Sequence, residues 1–429
     1  MKREHESSHT AASSAGEAWA RDDAERIARA VDPDEMLERL SSQLRVATTR
    51  ARKHRVELYS RASVRTRVSI ESPGEAPDVH LGFEDGIAAR AVRLHDGAHG
   101  FAASAGTDRV ALEWVVEQAL RASVPSNGAE WADGAGHPLL DREPAPLIPS
   151  AKDLSGWLEL ALGTAASAGV TVRSAWVEAA LTTETIAAHG GLLASRHRSR
   201  VWALGVAERR PRILGARALD ELDSCYWARS VRVPQERSHR VILPLERPAL
   251  FYPEAAASLV TALVRAVQSA GDEQVPEIGP GWRVSDDPTE PRGLVGGSFD
   301  DAGFPASRRL LWDDARVVGR TDGVGHYRRA SYRDPPSPMA TTLVVEPKPG
   351  EIEDRAIHVE AVRVHPVDSA VWILEMSGRE SGGGAGFRDA MLEVKPLELL
   401  RRCRAAVGEP RWFPQGIVTP AVFFESLRT

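Results

Sequence analysis

The sequence predicts an α+β protein with two domains. The N-terminal one is an α/β-type domain with a mixed sheet and helices, and the C-terminal one is a β-rich, sheet- or barrel-like domain. The chain has 429 residues, which is too many for one hydrophobic core. Helical and strand patterns are grouped along the chain, whereas a doubly wound sheet needs them to alternate. From Trp282 to about Met376 the sequence is rich in Gly and Pro and indicates short strands.

The predicted N-terminal domain spans residues 23–233. Residues 1–22 are rich in Ser, Ala, Glu and His without an apolar period, so we expect a disordered tail there. From Ala24 to His54 apolar residues recur at helical spacing, with a break at Asp32-Pro33-Asp34. The alternating stretches that follow predict strands joined by turns that contain glycine.

Two further helices are predicted in this domain. One begins at Asp108, with the Thr107 hydroxyl as its N-cap, and the other runs from Lys152 to Ala168. The second domain, residues 234–429, is predicted to begin with a helix from Pro253 to Ala270. A last helix, PLELLRRCRAAVG, precedes a terminal strand, GIVTPAVFFESL.

Composition and charge exclude several classes of protein. The net charge of −6 argues against a dedicated nucleic-acid binder, which is usually basic. No apolar run approaches the ~20 residues that cross a bilayer, and the N-terminus lacks the apolar core of a secretory signal. Cys225 and Cys403 are too far apart for a CxxC motif, so neither a disulfide framework nor a cysteine zinc site is expected. The expected location is the cytoplasm.

Three stretches, in this order, resemble the TldD/PmbA family, whose PmbA members are also called TldE. The first is GIAARAVRLHDGAHGFAASAGTDRVALEWVVEQALRAS. The second and most specific is WRVSDDPTEPRGLVGGSFDDAGFPASRRLLWDDARVVGRTDG, and the third is YRRASYRDPPSPMATTLVVEPKPG. The resemblance covers the chain from about Leu40 to its end.

The resemblance implies a comparison at one helix. TldD-type members carry HExxxH early in the second domain and are zinc metalloproteases, whereas TldE/PmbA-type members lack the motif. The matching helix here reads Pro253-Glu254-Ala255-Ala256-Ala257-Ser258, which keeps only the glutamate. Proline has no donor atom for zinc and a neutral serine hydroxyl is a poor one. Active members also supply a cysteine from a glycine-rich loop, but Cys403 lies in a predicted helix and Gly382–Gly384 and Gly386 have no cysteine among them.

The resemblance therefore implies a non-catalytic TldE/PmbA-like subunit, inactive by itself and without a metal or other cofactor. Zinc is expected only in a TldD-like partner, with which the chain would form a heterodimer or a higher assembly. Unfolded peptides would be degraded or trimmed by that complex. Two alternatives stay open: a stand-alone homodimer that binds peptides without cutting them, and an active metalloprotease with rearranged ligands. The acidic balance gives no support to direct DNA contact, although an older label of the family refers to DNA gyrase.

Two sets of residues are candidates for a site. Glu254 matches the family's catalytic glutamate, but an acid directly after Pro253 is also typical of a first helical turn, which the helix dipole favours. The second set is a basic cluster that binds a peptide carboxylate or an acidic partner, or is simply a solvated loop. Its members are Arg328, Arg329, Ser331, Tyr332 and Arg333.

Other polar groupings favour ordinary turns. His95 and His99 flank Asp96-Gly97, which predicts a hairpin turn and not a metal site on a helix. The pairs Asp286-Asp287 and Asp300-Asp301 are followed by turn-forming residues, so turn capping is favoured over cation binding.

Overall fold

The protein is described by a computed structural model. It covers residues 31–122, 132, 138–142, 148–207, 210–231, 246–270, 278–280, 282–291, 293–294, 296–314, 316–319, 326–329, 331–381, 386–413 and 416–429. The predicted tail at 1–22, the residues from Ala24 to Ala30 that have helical spacing, the proposed boundary at 233/234 and Gly382–Gly384 lie outside these residues.

The first half of the chain forms a seven-stranded sheet. Its elements are α1 (Pro33–Arg50), β1 (His54–Ile70), β2 (Asp78–Arg93), β3 (His99–Ala105), α2 (Arg109–Arg121), β4 (Leu139–Arg142), α3 (Ala151–Ser167), β5 (Ser174–Ala188), β6 (Leu192–Ala207), β7 (Arg210–Ala216) and α4 (Ser224–Val231). The strand order is β3-β2-β1-β5-β6-β4, and β7 also pairs with β6. All pairs are antiparallel except β4 with β6.

Capping residues determine where the first helices begin. Asp32, the predicted break, accepts hydrogen bonds from the backbone N–H groups of Asp34 and Glu35 and so caps α1. The Thr107 cap is wrong by one residue: Asp108 accepts from Ala111 N at 2.8 Å and caps α2. The Thr107 hydroxyl instead donates to Asp85 Oδ2 at 3.2 Å, which ties this corner to β2.

The helices of this half cover one face of the sheet. The apolar stripes of α1 and α2 pack on the strand residues Leu58, Ile87 and Ala89. Those of α3 and α4 pack on a second set that includes Val68 and Val177. The opposite face is therefore left to contact the second half of the chain.

The second half forms a ten-stranded sheet. Its elements are β8 (Ala249–Phe251), α5 (Pro253–Ser269), β9 (Arg283–Asp286), β10 (Arg309–Asp313), β11 (Arg316–Val317), β14 (Leu343–Val345), β15 (Ile357–Pro366), β16 (Trp372–Arg379), β17 (Gly386–Val394), α6 (Pro396–Leu400), β18 (Cys403–Phe413) and β19 (Ile417–Phe424). Between them, β12 (Tyr327–Arg328) and β13 (Ser337–Pro338) form a separate pair. The sheet order is β11-β10-β9-β14-β19-β8-β15-β16-β17, with β18 also on β19.

The strand β19 lies at the centre of this sheet. It pairs in parallel with β14 and antiparallel with β8 and β18, and every one of its eight residues is buried. Buried side chains of α5, among them Leu259, Val260 and Leu263, pack on this sheet and form the largest core. The α+β class with two sheets is confirmed, and the second sheet is open, with no closed barrel among the described strands.

The predicted last helix is too long. Only α6, Pro396–Leu400, is helical, and Cys403 starts β18. The apolar residues Leu399, Leu400 and Cys403 fit a helical period, but β18 pairs with β19 from Cys403 onward. A register shift between Cys403 and Ala405 places these two residues in different cores. Tertiary pairing therefore overrides the local pattern.

A buried cluster of charges joins the two halves. Asp301 accepts hydrogen bonds from Arg196 Nη1 of β6 at 2.9 Å, from Arg328 Nη1 at 3.1 Å and from the backbone N–H of Arg329 at 2.7 Å. Arg196 also contacts Glu184 of β5 at 3.2 Å. Neighbouring bonds reinforce this contact, such as Arg200 Nε to Leu294 O at 2.6 Å and Arg329 Nη2 to Glu57 Oε1 at 2.5 Å.

The arginines keep Asp301 ionised although it is 5% exposed. Burial by itself raises the pKa of this carboxyl, but Arg328 and Arg196 outweigh burial and lower the pKa to about 2. Because the folded-state pKa lies below the unfolded value of about 3.9, the contribution to stability is complete above about pH 4. It is lost as the pH falls from about 4 to about 2.

We expect Asp301→Asn to lower the free energy of unfolding by about 3–5 kcal/mol at pH 7, because two buried arginines lose a charged partner. Urea unfolding monitored by circular dichroism measures this loss. The wild-type protein should lose about 2 kcal/mol between pH 4 and pH 2 through this carboxyl, and the variant should lack that part of the decline.

The matched control is Asp313→Asn, which breaks a surface pair with Arg283 whose side chains are 37% and 49% exposed. It should cost no more than about 1 kcal/mol. Equal stability of Asp301→Asn and the wild type would contradict a structural role for the buried cluster.

Candidate functional site

Glu254 lies in the first turn of α5, at the position that the sequence predicted. β8 ends at Phe251, and Tyr252 is the N-cap of α5. The Tyr252 side chain makes no capping hydrogen bond, and Pro253 occupies the first helical position. Proline fits there because its missing N–H would have no partner inside the helix. Ser258 follows Glu254 by four residues, so both side chains lie on one face of the helix.

An ion pair between the two sheets holds Glu254. Arg212 of β7 donates from Nη1 to Glu254 Oε1 at 2.8 Å, and both side chains are about one-fifth exposed, at 19% and 21%. Burial raises the pKa of Glu254, and Arg212 offsets part of that rise. The carboxylate is thus paired with a guanidinium from the other sheet.

A cleft of about 230 Å³ surrounds this ion pair. Its charged lining residues are Arg212, Glu254, Arg363 of β15 and Glu375 of β16, and Ser258 and Phe413 add a hydroxyl and an aromatic surface. Glu375 Oε1 lies 3.6 Å from Arg363 Nη1, and its Oε2 lies 3.2 Å from His365 Nε2. The cleft therefore contains two acids, each beside a cation.

The residues of the cleft do not fit a resident zinc ion. Zinc sites take three or four donors from His, Cys, Asp or Glu, and Pro253 and Ser258 supply none of these. No group of three such residues is placed to hold a metal in the part of the chain that the structure describes. Cys403 does not line the cleft: its side chain is fully buried, and burial raises the pKa of its thiol well above the usual value.

The predicted basic cluster is divided by the fold. Arg328 and Arg329 are buried, the first against Asp301 and the second against Glu57 with its guanidinium 4.6 Å from the centre of the Tyr59 ring. The interpretation as a solvated loop is wrong for these two residues. Ser331 donates to Asp334 Oδ2 at 2.7 Å, which closes the turn that follows.

Tyr332 and Arg333 have a different surrounding. The Tyr332 ring packs so closely on β2 that a Cβ atom at Gly86 would lie 2.3 Å from it. Arg333 covers this ring at 5.3 Å and donates from Nε to the Tyr332 hydroxyl at 3.1 Å. Together they line one side of an open groove of about 600 Å³, whose other lining residues are Phe101–Ala105 of β3 and Trp114 of α2. Peptide or partner binding by the five predicted residues stays a prediction.

The aspartate pairs combine two roles. Turn capping is correct for Asp287, which accepts from Thr289 N at 2.9 Å, and for Asp300, which accepts from Ala302 N and Phe304 N at 2.9 Å each. Asp286 and Asp301 instead bind distant residues: Asp286 is fully buried and lies 2.6 Å from His326 Nδ1. The prediction of a turn at His95 is confirmed, and His99 begins β3.

Sequence reasoning missed Arg212, Arg363 and Glu375, because they lie on β7 and on the β15–β16 hairpin, far from Glu254 in the chain. One signal for the buried cluster was present. Arg196, Arg198 and Arg200 alternate along one strand and therefore share one face, and three arginines on a covered face need carboxylates opposite them.

Comparison with known proteins gives matches among solved structures only; no protein-family model and no curated protein matches. TldE from Thermococcus kodakarensis superimposes with a TM-score of 0.72 at 16% identity, over 90% of this chain and 99% of that one. A candidate modulator of a DNA gyrase from Thermotoga maritima gives a TM-score of 0.70 at 16% identity, over 90% and 99%. A similarly named protein from Bacteroides thetaiotaomicron gives 0.67 at 13% identity, over 92% and 98%.

These matches run through both sheets and nearly the whole length of each neighbour. At identities of 13–16% they establish the fold and nothing finer. No helix in the described ranges is long and apolar enough to cross a membrane. The chain thus has the fold of TldE and of the gyrase-modulator structures, as the three sequence motifs predict.

Proposed function

We propose that this chain is a non-catalytic, TldE/PmbA-like subunit that acts with a TldD-like zinc metalloprotease on unfolded peptides in the cytoplasm. The observation that carries this proposal is the Arg212–Glu254 ion pair, with Pro253 and Ser258 at the two histidine positions. The fold supports the choice of family, and the chemistry of the cleft supports the absence of catalysis.

The ion pair is a poor arrangement for hydrolysis. A metal lowers the pKa of bound water to about 7, and without one a carboxylate must activate water of ordinary acidity. Arg212 at 2.8 Å stabilises the Glu254 carboxylate as an anion and occupies one of its oxygens. The cleft is also smaller than the roughly 300–1,000 Å³ of most ligand pockets.

The groove beside β3 supports a role in holding peptides. β3 is the last strand in the order of the first sheet, and its residues Ala102–Ala105, which have small side chains, line the groove. An extended peptide that adds to such an edge gains main-chain hydrogen bonds whatever its sequence. Trp114, which is 49% exposed, and Arg333 flank the groove and would contact side chains or a terminal carboxylate.

We expect peptide cleavage only when this chain is mixed with its partner. The partner is sought as a co-purifying protein that contains HExxxH, and a fluorogenic unfolded peptide is offered to each protein alone and to the mixture. Replacing the glutamate of the partner's HExxxH by glutamine should abolish cleavage by the mixture. Cleavage by this chain alone would contradict the proposal.

We expect the purified chain to contain less than about 0.1 zinc per molecule, because the cleft supplies too few donors. Elemental analysis after dialysis against zinc measures this content, and Glu254→Gln should not change it. Stoichiometric zinc that disappears in Glu254→Gln would establish the rearranged-ligand metalloprotease instead.

We expect Trp114→Ala and Arg333→Ala each to weaken binding of an extended peptide by about tenfold, since each removes a flanking contact of the groove. Fluorescence anisotropy with a labelled unfolded peptide measures the affinity. Val110→Ala is the matched control, because Val110 lies on the same helix, is 77% exposed and does not line the groove. Equal weakening by all three variants would argue against a peptide site there.

A further inference from the structure

The strand β2 has an outer edge that only partly carries another strand. β3 pairs with β2 from Gly86 to Val92, whereas β1 pairs with it from Asp78 to Arg93. The stretch Asp78–Glu84 therefore has one free edge among the described strands, whereas the Asp85 carbonyl already accepts from Gly106 N. A free edge of this length presents backbone donors and acceptors to any strand that can reach it.

This edge is unusually apolar for a strand exposed to solvent. Leu81 is 79% exposed, Val79 53% and Phe83 41%. They alternate along the strand and so share one face, which is the helical face because Val79 is opposite Val68, a residue of the core under α3. Proteins normally protect an exposed edge strand with charges, prolines or bulges. Three exposed apolar residues in a row on this edge strand therefore indicate an interface.

The direction of the backbone groups can be read from the neighbouring contacts. On the β3 side, the Asp85 carbonyl accepts from Gly106 N at 3.2 Å, and Arg93 bonds with Gly97 and Ala98 at 2.9 Å. Odd-numbered residues of β2 thus direct their N–H and C=O groups outward. Val79, Leu81 and Phe83 carry the groups that an added strand would bond.

We propose that a second copy of this chain pairs with this edge, antiparallel and about a two-fold axis at Gly82, so that the first sheets of two molecules form one continuous sheet. In this register Leu81 of each copy is opposite Phe83 of the other, and each such pair exchanges two backbone hydrogen bonds. His80 is opposite Glu84, which is a complementary pair that occurs twice by symmetry. Gly82 meets Gly82.

Neighbouring registers are worse. In a symmetric antiparallel pair, odd-numbered residues must be opposite odd-numbered residues, because only these direct their backbone groups outward. The two-fold axis therefore passes through a residue, and the nearest alternatives place it at Leu81 or at Phe83. Centring at Leu81 places Asp78 opposite Glu84, with like charges facing. Centring at Phe83 pairs only residues 82–84, because Leu81 would be opposite Asp85, whose carbonyl already accepts from Gly106 N. Centring at Gly82 pairs residues 80–84.

The pairing also buries the exposed apolar row. A two-fold axis perpendicular to a sheet keeps the same face in both copies, so Leu81 and Phe83 of one molecule meet Phe83 and Leu81 of the other. Glu84 keeps its bond of 2.9 Å to Arg65 within each chain, and His80 of the second copy adds a further partner. This assembly requires neither a metalloprotease partner nor a peptide, and it is therefore independent of the proposed function.

The test is a cysteine placed on the two-fold axis. Gly82→Cys in a Cys225→Ser background should form a disulfide-linked dimer under mild oxidation, because opposed residues of a non-hydrogen-bonded pair lie about 4.5 Å apart at Cα. The substitution is tolerated, since a Cβ atom at Gly82 meets only Arg65 Cβ at 3.8 Å. His80→Cys is the matched control. In this register the two copies of residue 80 are offset by four residues, or about 13 Å along the strand, which is too far for a disulfide.

Size-exclusion chromatography with light scattering then measures the oligomer without a cross-link. The wild-type chain should be a dimer at micromolar concentration, and Leu81→Lys should raise the dissociation constant at least about tenfold. Val110→Lys, at a position that is 77% exposed on α2, should leave it unchanged, and circular dichroism checks that all variants are folded. A monomeric wild-type chain, or equal cross-linking of Gly82→Cys and His80→Cys, would overturn the proposal.

Discussion

The whole architecture depends on neutralising a group of arginines that the fold removes from water. Arg196 of β6 and Arg328 of β12 are 2% and 4% exposed, and Asp301 lies between them. Burying such cations without a carboxylate would cost several kcal/mol each. The loop around Asp301 must therefore lie on the first sheet, and this requirement fixes how the two sheets are placed against each other.

That placement creates the cleft. β7 belongs to the first sheet and α5 to the second, so Arg212 and Glu254 meet only because the buried charges, together with the contact of Trp202 on Trp412, hold the halves together. The ring centres of those tryptophans are 5.4 Å apart, and both rings pack on Gly215 of β7. A side chain at Gly215 would overlap them, which is why a glycine is needed there. The ion pair in the cleft is thus a consequence of the junction between the sheets.

Local patterns in the sequence were sufficient for elements whose ends are determined by neighbouring residues. Pro253 and Glu254 start α5 as expected, the hairpin at Asp96-Gly97 is a turn, and three ordered motifs predicted the fold. The failures concern long-range contacts. Cys403 fits a helical period but joins a strand because β19 is beside it, and the Asp300-Asp301 pair gave no sign that only one of its acids faces arginines from another sheet. The burial of Arg328 and Arg329 also depends on acids distant in the chain.

The central position of β19 has a consequence for how the protein is made. The largest core needs Ile417, Val422 and Phe424, which are synthesised after every strand of the first sheet, since those strands all precede residue 217. The first sheet can fold while translation proceeds. The apolar face of α5 stays uncovered until β19 is available to pack against it. That exposure ends only when residues 417–424 have left the ribosome.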